Sequence, residues 1–124
     1  MTKAAALHEF FSQFNLNVWP ENSVPTGDDA PNYPYLTYQV VTGAEFDKVL
    51  IAASLWYRET TWTRINAKTE EIARTICGAY TIECDDGGMI LRRGTPFGQP
   101  IDEPSDDLVK RKVLNIEVTY CTPY

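Results

Sequence analysis

Residues 33–59 read YPYLTYQVVTGAEFDKVLIAASLWYRE, and this stretch decides the predicted fold. Residues 35–41 are rich in β-branched and aromatic side chains, which is typical of a strand. A short link that contains Gly43 follows, and residues 48–59 repeat the strand pattern. Two strands joined by so short a link are expected to pair as a hairpin, on which the rest of the sheet is built.

An amphipathic helix is predicted before this hairpin, over residues 3–14. Leu7, Phe10, Phe11 and Phe14 recur at positions i, i+3, i+4 and i+7, which places them on one helix face. Thr2 is a suitable N-cap. The link from the helix to the hairpin, residues 18–34, contains four prolines, which rule out a regular helix and disfavour a central strand.

A second helix and three strands are predicted after the hairpin. The helix begins at Thr63, buries an isoleucine stripe and ends at Gly78. Residues 80–84 (YTIEC) and 89–93 (MILRR) flank a DDGG turn, so they form a second hairpin. The last strand covers residues 112–121, and its alternation predicts a buried side made of Leu114, Ile116, Val118 and Tyr120.

These elements predict an α+β fold with a mainly antiparallel, five-stranded sheet and two helices packed on one face. At 124 residues the chain is expected to form a single domain, residues 1–124. A long loop at about 94–109 separates the last two strands.

The long loop is the main candidate for a partner contact. Loops of this length in compact domains are usually functional or disordered, so we interpret it as an arm that becomes ordered against a partner. A passive surface insertion remains an open alternative. Within the arm, the predicted anchors are apolar and the predicted steering groups are acidic: Phe97, Ile101 and Leu108, and Asp102, Glu103, Asp106 and Asp107.

Trp56 is a further candidate contact residue. Strand alternation puts Trp56 and Tyr57 on opposite faces, so at least one of them belongs to the core and the other is free for a subunit contact. Contacts between subunits are also expected through the sheet edges and through the turns near residues 43–48 and 85–88.

The composition excludes several classes of protein. The net charge of −6 argues against an attractive nucleic-acid surface. No apolar run approaches the roughly 18 residues of a membrane span, and the N-terminus lacks the solid apolar core of a signal peptide, so we expect a cytoplasmic origin.

No catalytic or metal-binding motif is evident, so we expect no enzyme activity and no cofactor. His8 is interpreted as a solvated histidine, and the acidic residues of the loop lack the spacing of a calcium-binding EF-hand. Cys77, Cys84 and Cys121 are an odd number without a C-x-x-C pair, which favours reduced, mostly buried thiols.

The order of these segments resembles the small neck and tail-completion proteins of long-tailed bacteriophages, particularly the tail terminators, which are often called minor capsid proteins. The resemblance rests on the N-terminal helix, the strand YPYLTY, the helix TRINAKTEEIARTI and the closing stretch ILRRGTPFGQPIDEPSDDLVKRKVLNIEVTY. It does not distinguish the layers of the neck.

The resemblance implies a structural subunit without enzymatic activity. Its copies would form a ring, typically sixfold, on the head-proximal end of the tail tube. Its partners would be itself, the tail-tube protein and a head-completion or connector protein, while DNA slides through an acidic ring without specific binding. Its location would be the virion neck, after assembly in the host cytoplasm. The alternative is a monomeric protein-binding or immunity-type module that caps a basic partner through its acidic loop.

Overall fold

The computed structural model describes all residues from 1 to 124. Two short 3-10 helices, Glu21–Ser23 and Gly27–Asp29, lie between the first two strands. In chain order, the remaining elements are α1 (Lys3–Ser12), β1 (Asn17–Pro20), β2 (Tyr35–Tyr38), β3 (Lys48–Arg58), α2 (Thr63–Ile76), β4 (Tyr80–Cys84), β5 (Gly87–Ile101) and β6 (Val109–Cys121).

All six strands belong to one sheet, in the order β1-β2-β3-β6-β5-β4. β1 runs parallel to β2, whereas the other neighbouring pairs are antiparallel. The sheet is therefore mixed, and it curls into a half-barrel. The fold is α+β, but the predicted mainly antiparallel, five-stranded sheet is wrong.

The strand missing from that prediction is β1. It is only four residues long and ends at Pro20, inside the proline-rich stretch that argued for a loop. As the outermost strand it needs hydrogen bonds on one side alone, so a proline without an N–H group is tolerated there.

The core lies on one face of the curled sheet. In β6 the buried apolar side chains are those predicted from the alternation, and β3 contributes Ile51, Ala53, Leu55 and Tyr57. The register places Ile51 opposite Ile116, so apolar side chains of the two central strands meet on the same face. Both helices bury apolar residues in this same cluster.

The helix α1 begins as its sequence predicts. The Thr2 hydroxyl accepts a hydrogen bond of 3.1 Å from the Ala5 N–H group, which caps the first turn. The phenylalanine stripe is buried, and Phe11 stacks on Tyr38 of β2 with ring centroids 5.1 Å apart. The stripe therefore attaches the helix to the sheet.

The end of α2 differs from the prediction in one respect. Its isoleucine stripe is buried as expected, but the positive φ angle that terminates the helix belongs to Cys77 (φ 51°) and not to Gly78. The Cys77 carbonyl accepts a 3.1 Å hydrogen bond from the Arg93 side chain. This contact places a cation at the negative end of the helix dipole.

The predicted loop at 94–109 is largely a strand. β5 continues to Ile101, and residues 98–101 pair with residues 111–114 of β6 after a register shift between Arg93 and Gly98. Pro100 is tolerated because β4 pairs only with the first part of β5, which leaves the rest of β5 as a sheet edge. The irregular segment is shortened to residues 102–108.

The three cysteines are free thiols, as predicted. Cys77 is exposed, and Cys84 and Cys121 are half-buried. The expectation that they are mostly buried is therefore wrong.

Candidate partner-contact surfaces

The register shift in β5 determines where Phe97 lies. Residues 94–97 bulge opposite Asn115, whose amide donates a 2.8 Å hydrogen bond to the Pro96 carbonyl. Phe97 is half-buried and packs against the core, and Gly98 follows it closely under α2. Phe97, a predicted anchor for a partner, therefore packs within its own subunit. Its position in a stretch that looks like a loop in the sequence did not indicate this.

Residues 102–108, which we call the acidic segment, are tied to the sheet by two ion pairs. Glu103 lies 3.8 Å from the Arg111 guanidinium, and Asp106 lies 3.1 Å from Arg58. Asp106 also accepts a 2.9 Å hydrogen bond from the Leu108 N–H group. That backbone hydrogen bond and the Arg58 contact lower the pKa of Asp106 below its ordinary value.

Only part of the acidic segment is left to attract a partner. Asp102 and Asp107 are exposed and form no ion pair, whereas Glu103 and Asp106 are paired within the chain. Leu108 is half-buried, so of the three predicted apolar anchors only Ile101 is exposed, at 36%. The predicted arm is thus a short, braced turn with a reduced surface charge.

Trp56 lies on the outer face of the sheet, opposite to the buried Tyr57, as alternation predicts. Its ring stacks on Tyr35 at 5.9 Å, and the Arg111 guanidinium carbon lies 4.6 Å from its centroid. The indole N–H group donates a 3.0 Å hydrogen bond to the Thr37 hydroxyl. Through Arg111, the structure brings Trp56, Ile101 and Glu103 together, while Phe97 lies apart on the inner face.

A second surface lies at the connection between β2 and β3. Four of the eight exposed large apolar residues of the chain fall within residues 40–50, that is, in this connection and at the start of β3. We call these four residues the apolar loop surface: Val40, Val41, Phe46 and Leu50. Phe46 and Leu50 are the most exposed of them, at 67% and 63%.

The backbone holds this surface in place. The Phe46 N–H group donates a 2.7 Å hydrogen bond to the Tyr120 carbonyl, and the Tyr120 hydroxyl donates one of the same length to the Val41 carbonyl. Phe46 has a φ angle of 64°, a left-handed conformation that is unusual for a bulky residue. The sequence indicated contacts near residues 43–48, and Phe46 between two acidic residues was the available signal for this surface.

The two surfaces lie at opposite ends of the sheet. At one end, Lys48 is opposite Thr119. Gly88, just after the 85–86 turn, is opposite Cys121 at the same end. At the other end, Arg58 is opposite Val109, next to the acidic segment. β3 has 11 residues, so the ends are roughly 35 Å apart. The turns near 43–48 and 85–88 therefore share one end.

None of the helices combines the length and apolar character that crossing a bilayer requires. No group of three or more His, Cys, Asp or Glu side chains is arranged to hold a metal ion. No protein-family model, curated protein or solved structure matches the chain.

Proposed function

We propose that this chain is a structural protein of the virion neck of a long-tailed bacteriophage. Copies of it form a ring, sixfold as in the family that the sequence resembles, which caps the tail tube and joins the tail to the head connector. The proposal rests on that resemblance and on an exposed apolar surface of the kind that subunits bury between them.

Phe46 is the observation that carries the proposal. An exposed phenylalanine at positive φ costs the free subunit stability through unfavourable backbone sterics, and its ring, left in water, contributes little burial in return. Such a residue persists where a partner covers it, and strained residues concentrate at functional sites. The apolar loop surface is accordingly assigned to contacts made during assembly.

A neck protein needs two contact surfaces, because it lies between a tube and a connector. The apolar loop surface and the acidic segment are roughly 35 Å apart and differ in chemistry. The first suits a tightly packed contact within the ring or on the tube, and the second, with Ile101, Asp102 and Asp107 exposed, suits a smaller polar contact.

The charge of the chain is compatible with DNA passing through such a ring. Seventeen acidic residues outnumber eleven basic ones, so a ring of six copies repels the phosphate backbone instead of holding it.

The alternative function, a monomeric module that binds a basic partner through its acidic loop, loses support. Two of the four carboxylates on which it depends are engaged by Arg58 and Arg111 of the same chain. The remaining pair, Asp102 and Asp107, offers little charge for steering a partner.

Electron microscopy tests the proposal. A genome that encodes this chain should also encode a tail-tube protein, and the two purified proteins are mixed and imaged. We expect rings on one end of the tubes and tubes of limited length. Bare tube ends at saturating concentrations of the chain, or a genome without a tube protein, would show that the proposal is wrong.

A further inference from the structure

The free edge of β4 borders an open groove. The other wall of the groove is α1, and its volume is about 730 Å³, within the range of clefts that bind ligands or short peptides. Phe10 of α1 packs edge-on against Tyr80, which closes the bottom of the groove. The apolar lining comes from both walls, namely Ala6, Phe10, Tyr80 and Ile82.

The backbone of β4 offers unused hydrogen-bonding groups to this groove. Cys84 pairs with Gly87 around a two-residue turn, and the Asp85 N–H group points the other way, towards the groove side. Because an antiparallel ladder alternates, the N–H and C=O groups of Thr81 and Glu83 point to that side as well. Neither residue's outward groups have a hydrogen-bond partner in the chain.

The chain itself uses only the turn that adjoins this edge. The Asp85 N–H group donates a 2.8 Å hydrogen bond to the Met1 carbonyl, and the Met1 amino group pairs with the Asp85 carboxylate. These contacts occupy the turn end of the edge only. The groups of Thr81 and Glu83, further along β4, stay available for a strand that continues in the same line.

The other edges of the sheet carry a proline and this one does not. β1 is very short and ends in Pro20, and the open half of β5 carries Pro100 and lies against the end of α2 through Arg93. Proline and covering elements are the usual means of preventing strand addition. β4 has five residues and contains neither proline nor lysine.

The charges around the groove define the occupant. Glu83 on β4 and Glu9 on α1 border the groove, and neither forms an ion pair. A basic side chain placed beside Glu83 is favoured as a cross-strand pair, whereas an acidic one is disfavoured.

We propose that β4 takes up an extended segment of a partner protein as a seventh strand, and that this segment alternates apolar with basic residues. Its apolar side chains lie against the partly exposed Tyr80 and Ile82, its basic side chains lie beside Glu83, and its backbone bonds to Thr81 and Glu83. The inference stands on the sheet edge alone and does not depend on the proposed function.

Three blocked six-residue peptides test this inference on the full chain by nuclear magnetic resonance titration. The first alternates valine with lysine, the second alternates valine with glutamate, and the third repeats the first with N-methyl groups on the amides of one edge. We expect the first to bind, with its largest shifts at the amides of Thr81, Glu83 and Asp85. The other two should bind at least about tenfold more weakly, because they lose charge pairing or backbone hydrogen bonds.

A pair of variants separates backbone pairing from other effects. Thr81→Pro removes the outward N–H group while keeping the ladder to β5, and it should weaken binding of the valine–lysine peptide by about tenfold. Thr81→Val keeps the N–H group and should bind as the original chain does. Three results would each overturn the inference: equal binding of the N-methylated peptide, shifts centred elsewhere, or no binding of the first peptide. None of these results requires the proline variant to fold.

Discussion

At the scale of single residues, a substitution at Phe46 is expected to change the stability of the free subunit and its assembly with a partner in opposite directions. Asparagine tolerates positive φ better than phenylalanine, so Phe46→Asn is expected to raise the free energy of unfolding by about 0.5–1 kcal/mol. Urea denaturation measures the change. The same substitution should abolish assembly, because it removes the most exposed apolar side chain of the apolar loop surface.

Phe46→Ala is the matched control, since it removes the ring but keeps a residue for which positive φ is sterically unfavourable. It should not gain stability, although it should also fail to assemble. A loss of more than about 1 kcal/mol in the asparagine variant would mean that the ring stabilises its own subunit, as buried phenylalanines do.

Cys77 offers a second prediction about backbone strain. Its φ and ψ angles of 51° and −123° are accessible mainly to glycine, so Cys77→Gly is expected to stabilise the chain by about 1 kcal/mol. Thermal unfolding under reducing conditions measures this. Cys77→Ser has nearly the same shape and the same strain, and it should leave the midpoint unchanged. Equal midpoints for the glycine and serine variants would argue against strain at this position.

The lowered pKa of Asp106 predicts that the stability of the chain depends on pH. Its pKa is lowered from 3.8, so its contribution to stability is fully present above pH 4 and is lost as the pH falls through the lower folded pKa. The melting temperature of Asp106→Asn should therefore lie below that of the original chain at pH 6, and the two should converge as the pH falls through the folded pKa of Asp106. Asp102→Asn removes an exposed carboxylate without an ion pair and should show no such convergence. A constant difference between the Asp106 variant and the original chain at all pH values would contradict the assignment.

At the scale of elements, β5 determines what can be removed from the chain. Deleting residues 95–107 and bridging the gap with Gly-Ser removes Phe97 and the pairing of residues 98–101 with β6. We expect this deletion to lower the free energy of unfolding by about 2–4 kcal/mol, as measured by urea denaturation.

A shorter replacement is the control for that deletion. Substituting Gly-Ser for residues 102–105 removes one surface ion pair, Glu103 with Arg111, and should cost less than about 1 kcal/mol. If both variants were equally stable, the second half of β5 would contribute nothing to the sheet, and residues 95–107 would be the passive insertion that the sequence left open.

The elements that could be predicted from the sequence are those with an uninterrupted pattern. The apolar stripes of the two helices and the alternation in β3, β4 and β6 are visible in the sequence and predict these elements. β1 and the second half of β5 were missed because Pro20 and Pro100 argue against a strand, and the sequence does not show which strands will form a sheet edge. Edge position, and with it the tolerance for proline, depends on the tertiary arrangement.

The candidate surface was harder to predict than the fold, for a related reason. Phe97, Glu103 and Asp106 were grouped because they are close in sequence, but the register of β5 turns Phe97 inwards. Ion pairs with Arg111 and Arg58, which lie outside the acidic segment, neutralise the two carboxylates. The acidic neighbours of Phe46 are a weak sign of its exposure, and nothing in the sequence indicates its positive φ angle.

At the scale of the whole molecule, the subunit has two chemically distinct ends. The apolar loop surface lies at one end of β3, and the acidic segment lies at the other, roughly 35 Å away. In the ring that we propose, such subunits would present one kind of surface towards the tube and another towards the head. Substitutions at the two ends should therefore have separate effects on assembly.

We propose that the apolar loop surface makes the contact on which ring assembly depends. The most direct measurement is the fraction of tail-tube ends that carry a ring in electron micrographs, for the original chain, for Phe46→Ser combined with Leu50→Ser, and for Ile101→Ser at the opposite end. Both variants should remain folded, because each replaced side chain is exposed. We predict rings with the original chain and with the Ile101 variant, and bare ends with the double variant. Rings at normal frequency with the double variant would contradict the account.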